Sequence, residues 1–198
     1  METKQVIHED GELFFIEHYL NAEQRGWFYR HFEEQIDWRE EQIMLFGKAV
    51  TVPRRVAWYG EPDAVYHYSG VTHTPQIWLP ALYALKTDLE QRFSAKFNSV
   101  LANFYRHGQD SMGWHADNEP ELGAQPLIAS LSLGGQRLFK LQHKRTKRVV
   151  DLPLNAGSLV IMKGELQNCW RHCVPKTKKP VTGRINLTYR YVYKSPER

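Results

Sequence analysis

The sequence contains only two cysteines among its 198 residues, Cys169 and Cys173. Two cysteines are too few for a disulfide framework, so we expect free thiols and an intracellular location, cytoplasmic in a bacterium or nuclear in a eukaryote. No apolar run is long enough for a membrane span, and METKQVIHEDGEL at the start has acidic residues in place of a signal peptide's apolar stretch. We therefore expect neither a secreted scaffold nor a membrane protein.

Internal repeats, low-complexity tracts and Ser/Gly linkers are also lacking, which predicts a single domain over residues 1–198. A composition of 42% hydrophobic and 13% aromatic residues suffices for a substantial core. The net charge of +4 favours a polyanionic partner, but only weakly, since many basic proteins bind no nucleic acid. A monomer is the default expectation.

Two helices are predicted in the first half of the chain, after a short strand over residues 13–16. Asn21 followed by Gln24 resembles a capping box, which predicts a helix to about Gln35. Pro80 is typical of a helix start, and apolar residues recur at helical spacing behind it, at Leu82, Leu85, Leu89 and Phe93. Between these helices, IMLFGKAVTVPRRVAWYG is rich in β-forming residues.

From Phe97 onward, short β-like runs follow one another, and Pro, Gly or Asn occupies most of the gaps. The runs are FNSVLANFY, LIASLSL, QRLFKLQ, RVVDLPL, SLVIMKG and RINLTYRYVY. Many short strands with turns between them favour a sandwich, jelly roll or barrel. We predict an α+β fold in which two helices cover a mostly antiparallel β domain.

His115 and Asp117 form an H-x-D pair in a predicted loop, and His172 follows on a different strand. Two His and one carboxylate with open positions form the facial triad of non-haem Fe(II) oxygenases. Taken alone, the H-x-D pair favours a hydrogen-bonded loop histidine over a metal ligand. A zinc site formed by Cys169, His172 and Cys173 is a rival, although it lacks a fourth ligand and a C-x-x-C motif.

The last predicted strand has two chemically different faces. Alternation places Ile185, Leu187, Tyr189 and Tyr191 on one face, and Arg184, Asn186, Thr188 and Arg190 on the other. A half-exposed strand with a polar outer face would explain this pattern. In a barrel the polar face would instead line a site, where two arginines could hold a dicarboxylate. The same alternation puts Leu101, Asn103 and Tyr105 on one face.

Taken in order, N-F-Y, H-A-D, IASLSLG, W-R-H and R-I-N-L-T-Y-R resemble the AlkB family of Fe(II)- and 2-oxoglutarate-dependent dioxygenases. PRR…WYGEPDAVYHYSG adds a similarity to the branch that repairs alkylated bases in duplex DNA. The resemblance implies a double-stranded β-helix, or jelly roll, over residues 96–193, preceded by an extension over residues 1–95 with helices and a nucleotide-recognition lid. Its implied cofactor is Fe(II), and its implied co-substrates are 2-oxoglutarate and O₂.

The resemblance also implies the reaction, in which N-alkylated bases in DNA are oxidatively demethylated and formaldehyde, succinate and CO₂ are released. The same chemistry on RNA is an alternative, and so is a damaged-nucleic-acid binder that has lost catalysis. By resemblance, His115, Asp117 and His172 hold the metal. The resemblance also implies that five residues contact 2-oxoglutarate: Asn103, Tyr105, Arg184, Asn186 and Arg190. Together with the three metal ligands, Arg190 is predicted to be catalytic.

The implied substrate is duplex DNA with a flipped, alkylated base. Glu119 matches the acidic residue that faces the damaged base, the lid contributes Tyr66, Tyr68 and Ser69, and Phe46 matches an apolar finger. Basic residues of PRR and HKRTKRV are predicted to meet phosphates: Arg54, Arg55, Lys144, Arg145, Lys147 and Arg148. Asn118 departs from the acidic neighbour that the family often has, and HKRTKRV is shorter than in some relatives.

Overall fold

A computed structural model gives the fold and describes residues 2–45, 47–68 and 71–193. For residues 44, 45, 66–68 and 71–73 it describes the backbone only. Phe46 and Ser69, predicted to contact the substrate, therefore lie outside the described residues. Tyr66 and Tyr68 lie on a short strand, and their side chains are not described.

The predicted helices are confirmed as α1 (Ala22–Gln35) and α2 (Pro80–Phe93), and one short helix, α3 (Leu166–Cys169), was not predicted. The capping box is complete, because the backbone N–H of Gln24 donates to Asn21 Oδ1 over 2.9 Å and that of Asn21 donates to Gln24 Oε1 over 3.0 Å. Among the described residues, no helix is both long enough and apolar enough to cross a bilayer.

The described residues also form a 3-10 turn over Pro120–Leu122 and fourteen strands. In chain order they are β1 (Lys4–Ile7), β2 (Glu12–Ile16), β3 (Arg39–Leu45), β4 (Lys48–Gly60), β5 (Tyr66–Tyr68), β6 (Val71–His73), β7 (Ser99–Tyr105), β8 (Met112–His115), β9 (Ile128–Gly134), β10 (Arg137–His143), β11 (Val149–Leu154), β12 (Leu159–Lys163), β13 (Trp170–Val174) and β14 (Arg184–Arg190).

Two antiparallel sheets face each other. The larger has the order β1-β2-β12-β9-β14-β7-β4-β3, and the smaller has the order β11-β10-β13-β8. One apolar cluster joins α1 and α2 to the outer face of the larger sheet, and a second fills the space between the sheets. This is the expected α+β jelly roll with helices packed on it.

Strand β14 lies in the interior of the larger sheet, between β9 and β7, and every one of its residues is buried. Ile185, Leu187 and Tyr189 pack into the helix-side cluster. Arg184 and Arg190 line the space between the sheets, as do Asn186 and Thr188. The predicted alternation is confirmed, and the half-exposed alternative is wrong. Tyr191 lies beyond the end of the strand and is exposed.

Four strands depart from the sequence predictions. His115, expected in a loop, is the last residue of β8, and β1, β5 and β6 were not predicted as strands. The separate strand expected to carry His172 is β13. The four-residue run MGWH of β8 shows no apolar alternation, so it carries no strand signal. The division at residue 95 stays a prediction, although β1–β4 from the first half pair within the larger sheet.

Candidate functional site

Two adjoining cavities open between the sheets. The inner cavity has a volume of about 50 Å³ and the outer one about 380 Å³. Five residues line both: Leu101, Met112, His115, Asp117 and Arg190. The inner cavity therefore adjoins the outer one at His115 and Asp117.

Strands β8 and β13 bring the predicted metal ligands together. His115 is paired with His172 in the β-sheet register, and their ring centroids are 4.3 Å apart. Asp117 follows β8 by two residues, and the ligand atoms of the three residues lie within 4.8 Å of one another. Two imidazoles and one carboxylate thus converge in the arrangement that the sequence predicts.

Both histidines are suited to binding a metal as neutral imidazoles. His115 Nδ1 is 2.9 Å from the carbonyl oxygen of Gly113, so Nδ1 carries the proton and the lone pair of Nε2 is left for a metal. Burial lowers the pKa of His172 from 6.5 to about 3. His172 is therefore neutral at physiological pH.

Asp117 is held as a buried carboxylate. Burial acts to raise its pKa, but the charges of Arg190, His172 and His115 outweigh burial, so the pKa lies below its ordinary value. Arg190 Nη2 donates to Asp117 Oδ2 over 2.9 Å, and the backbone N–H of Asp117 donates to Gln167 Oε1 over 2.9 Å. The ligand is thus fixed at both its side chain and its backbone.

Arg184 places a buried positive charge on the inner cavity. It is 1% exposed, and burial lowers the pKa of its guanidinium to about 10, so it is still charged at neutral pH. Nη2 donates to Ser132 Oγ over 2.9 Å. Within the described part of the chain, Nε and Nη1 have no hydrogen-bond partner, and no carboxylate forms an ion pair with Arg184. An anionic ligand would accept hydrogen bonds from Nε and Nη1 and would also neutralise the buried charge of Arg184.

The other residues predicted to contact 2-oxoglutarate also line the inner cavity. The ring of Tyr105 lies under the guanidinium of Arg184, with the centroid 5.2 Å away. Asn103 Oδ1 accepts a hydrogen bond from Arg54 Nε over 2.7 Å, and Asn186 Nδ2 donates to Ser130 Oγ over 2.8 Å. The cavity therefore joins a metal-ligand set to a cation-lined polar wall, which fits Fe(II) and a dicarboxylate.

The outer cavity contains two of the predicted substrate residues. Arg54 is 4% exposed, so it belongs to the cavity wall and not to the outer surface on which a phosphate contact was expected. Glu119 also lines this cavity, and its Oε2 is buried without a partner among the described residues. Thr74 and Gln76, which follow the predicted lid, line it as well.

The structure does not support the zinc alternative. Cys169, His172 and Cys173 do not form a cluster of ligand atoms within the described ranges. A different group, Asp10, His143 and Cys169, does come together. His143 Nδ1 accepts the backbone N–H of Thr146 over 3.0 Å, so Nε2 carries the proton and donates to Asp10 over 3.0 Å. This leaves no ring lone pair for a metal.

The basic residues of HKRTKRV have partners within the protein. Arg145 lies 3.6 Å from Asp10, and Arg148 lies 3.6 Å from Glu9. Lys144 Nζ donates to the carbonyl of Gln167, and Lys147 Nζ to that of Lys144. The expected contacts of all four with phosphates stay a prediction, and Asp10 and Glu9 partly compensate the charges of Arg145 and Arg148.

Two supporting residues were missed. Gln167 is buried and anchors Asp117, and nothing in the sequence distinguishes it. Arg137 donates to the carbonyls of His107, Asp110 and Pro175, and its guanidinium lies 5.6 Å from the ring centroid of Tyr105. Alternation in QRLFKLQ does put Arg137 on the buried face with Phe139 and Leu141, which was the available signal.

Comparison with known proteins gives a family match over most of the chain. The model of the 2OG-Fe(II) oxygenase superfamily matches residues 12–190. Mouse alpha-ketoglutarate-dependent dioxygenase alkB homolog 3 is 38% identical over 188 residues, covering 90% of this chain and 65% of the relative. Human DNA oxidative demethylase ALKBH2 is 38% identical over 159 residues, covering 76% of this chain and 61% of the relative.

The chain thus spans just under two thirds of the length of these curated relatives. Among solved structures, that of OsALKBH1 superimposes with a TM-score of 0.63 at 15% identity, covering 90% of this chain and 97% of the other. At that identity the likeness supports the jelly-roll fold alone.

Proposed function

The chain belongs to the 2OG-Fe(II) oxygenase superfamily and, within it, to the AlkB family, and from that premise we propose that it removes alkyl groups from bases in nucleic acid. The reaction would be an oxidative demethylation that depends on Fe(II), 2-oxoglutarate and O₂. The observation that carries this proposal is the pairing of the His115, Asp117 and His172 cluster with a buried, charged Arg184 on one cavity.

In the proposed enzyme His115, Asp117 and His172 bind the metal and leave its remaining positions open. Arg184 pairs with the distal carboxylate of 2-oxoglutarate, while Ser132 and Tyr105 fix the direction of its guanidinium. Arg190 orients Asp117 through their ion pair. These residues bind and orient the reactants and exclude water from the inner cavity.

Fe(II) held by His115, Asp117 and His172 would supply the activation of O₂, with 2-oxoglutarate as the reductant that becomes succinate and CO₂. One oxygen atom of O₂ enters succinate and the other is inserted into a C–H bond of the N-methyl group. The resulting N-hydroxymethyl group releases formaldehyde, and its hydroxyl proton passes to the base nitrogen. This chain contributes the outer cavity, where Glu119 and Arg54 line the space for the base.

We propose DNA as the substrate, with the alkylated base flipped out of a duplex and the protein acting as an intracellular monomer. Support for DNA comes from the relative named a DNA oxidative demethylase. A methyl group on the pairing edge is hidden in a duplex, so the base must leave the stack, and poor pairing of an alkylated base lowers that cost. The volume of the outer cavity, about 380 Å³, is in the range of small-molecule sites.

The test is mass spectrometry of an oligonucleotide with one N-methylated base, supplied as single strand, duplex and RNA. We expect the mass of the DNA to fall by one methylene group only when Fe(II), 2-oxoglutarate and O₂ are all present. His115→Ala should abolish this change. Consumption of 2-oxoglutarate with every substrate left methylated would reject nucleic acid as the substrate, and faster turnover of the RNA would reassign it.

A further inference from the structure

Strand β8 carries a bulge at the edge of the smaller sheet. His115 is opposite His172 and Met112 is opposite Val174, so three steps along β8 face two steps along β13. The extra residue allows Met112 and His115 both to line the cavities. Bulges beside active sites redirect side chains in this way. Here Trp114 is left outside the cavities, with 40% of its surface exposed.

An arginine is held over the exposed indole. The guanidinium of Arg171, on β13, lies 5.1 Å from the ring centroid of Trp114. Gln142 Oε1 accepts hydrogen bonds from Arg171 Nε over 3.0 Å and from Nη2 over 2.5 Å. Gln142 thus fixes the guanidinium without neutralising its charge, since an amide carries none. A planar cation next to a half-exposed ring is a common feature of surfaces that bind nucleic acid strands.

The Trp114–Arg171 pair lies on β8 and β13, the two strands that carry His115 and His172. Each member directly adjoins a metal ligand in the chain, Trp114 before His115 and Arg171 before His172. Strand β8 is the last in the order of its sheet, and no other strand pairs with its free edge within the described residues. A polynucleotide whose damaged base enters the outer cavity would continue over this edge.

The charges nearby are complementary to such a strand. Lys176, Lys178 and Lys179 follow β13, are exposed, and form no ion pair among the described residues. Their segment is bonded to the loop before β8, because the backbone N–H of Thr177 donates to the carbonyl of Gly108 over 2.8 Å. These lysines therefore differ from Arg145 and Arg148, whose charges are partly compensated by Asp10 and Glu9.

We propose that the Trp114–Arg171 pair binds the polynucleotide strand next to the flipped base, with Trp114 stacking on a base or sugar and Arg171 contacting a phosphate. The inference rests on the proposed function and adds to it a contact that governs strand affinity and not the chemical step. It also places a phosphate-binding surface at β8 and β13.

The test measures binding of a single-stranded, N-methylated oligonucleotide by fluorescence anisotropy, and binding of 2-oxoglutarate by calorimetry, both anaerobically with Fe(II). We expect Trp114→Ala to raise the Kd for the oligonucleotide about five- to a hundredfold and Trp114→Phe to restore most of the affinity. Arg171→Gln should reduce the slope of log K against log salt by about 0.7. Binding of 2-oxoglutarate should match the wild-type protein in all three.

Trp27→Ala combined with Arg30→Gln is the matched control, because Trp27 is 48% exposed and both residues lie on α1. It should bind the oligonucleotide as the wild-type protein does. Wild-type affinity in Trp114→Ala would overturn the inference while leaving the proposed function intact. An equal loss of 2-oxoglutarate binding would also overturn it, since Trp114 would then act through His115. A wild-type protein that binds 2-oxoglutarate but no oligonucleotide would overturn both proposals.

Discussion

A buried guanidinium without a carboxylate lowers the stability of a protein unless a ligand accompanies it. Arg184 is in this situation in the described structure, since its Nη2 donates to the neutral Ser132 and no carboxylate among the described residues pairs with it. We therefore expect Arg184→Met to leave the free energy of unfolding of the ligand-free protein unchanged or higher. The same change should abolish the stabilisation by 2-oxoglutarate, about 2.7 kcal/mol for the wild-type protein at a hundredfold excess over Kd.

Thermal denaturation with and without 2-oxoglutarate and metal measures both effects. Lys86 gives a matched control, because it is also buried but has a partner in Glu90 at 3.1 Å. Lys86→Met should lower the stability of the ligand-free protein and keep the response to 2-oxoglutarate. If Arg184→Met behaved like Lys86→Met, Arg184 would be a structural cation and not a ligand-binding one.

His172 predicts how pH affects the metal-free protein. Its folded pKa of about 3 lies below the ordinary 6.5, so between these values the unfolded chain binds more protons than the folded one. Stability from this group is present above pH 6.5 and falls by up to about 1.4 kcal/mol per pH unit on acidification toward pH 3. In thermal melts of EDTA-treated protein, stability should depend less steeply on pH in His172→Gln than in the wild-type protein. Equal slopes of stability against pH in the two proteins would contradict a lowered pKa for His172.

At the residue scale, the sequence predicted the site residues where reactive residue types occur at a spacing typical of a known site. H-x-D and the R-x-N-x-x-x-R strand predicted His115, Asp117, Arg184 and Arg190 as neighbours of one cavity, and the structure brings them together. It was uninformative about Gln167, because a buried amide that holds the backbone of Asp117 looks like any surface glutamine. Such supporting contacts depend on tertiary packing, which the local sequence pattern does not reveal.

At the scale of the element, one face of β14 packs in the core and contributes to stability, and the other face lines the inner cavity. Leu187 is fully buried on the helix side, so Leu187→Ala should lower the free energy of unfolding by about 2–5 kcal/mol. Val149→Ala, at a position 48% exposed, should change it by less than about 0.5 kcal/mol. Denaturant titration measures both, and a small loss at Leu187 would mean that the helix layer packs loosely on β14.

Strand β8 shows why an element can escape prediction. It has four residues, contains a glycine and carries a bulge, so neither alternation nor an apolar run marks it. The longer strands β7, β9 and β14 follow a period of two and were predicted nearly to their ends. Functional strands at a sheet edge depart from regular patterns because they redirect side chains toward a site.

At the scale of the whole molecule, the first half of the chain completes the fold. Strands β1 and β2 extend the larger sheet next to β12, β4 pairs with β7, and α1 packs on β9. We expect a fragment of residues 96–198 to remain unfolded, because it would expose the edges and the apolar face of the larger sheet. Circular dichroism and amide hydrogen exchange would test this. A cooperatively folding fragment would show that residues 1–95 form a separable extension.

The most direct test of the account is whether an alkylated nucleic acid couples to the turnover of 2-oxoglutarate at this site. Succinate and formaldehyde would be measured after addition of Fe(II), 2-oxoglutarate and O₂, with an N-methylated oligonucleotide or the same oligonucleotide without the methyl group. We predict that the methylated strand accelerates succinate formation, that one formaldehyde appears per methyl group lost, and that His115→Ala abolishes both. Equal succinate from the two oligonucleotides, with no formaldehyde, would contradict the account.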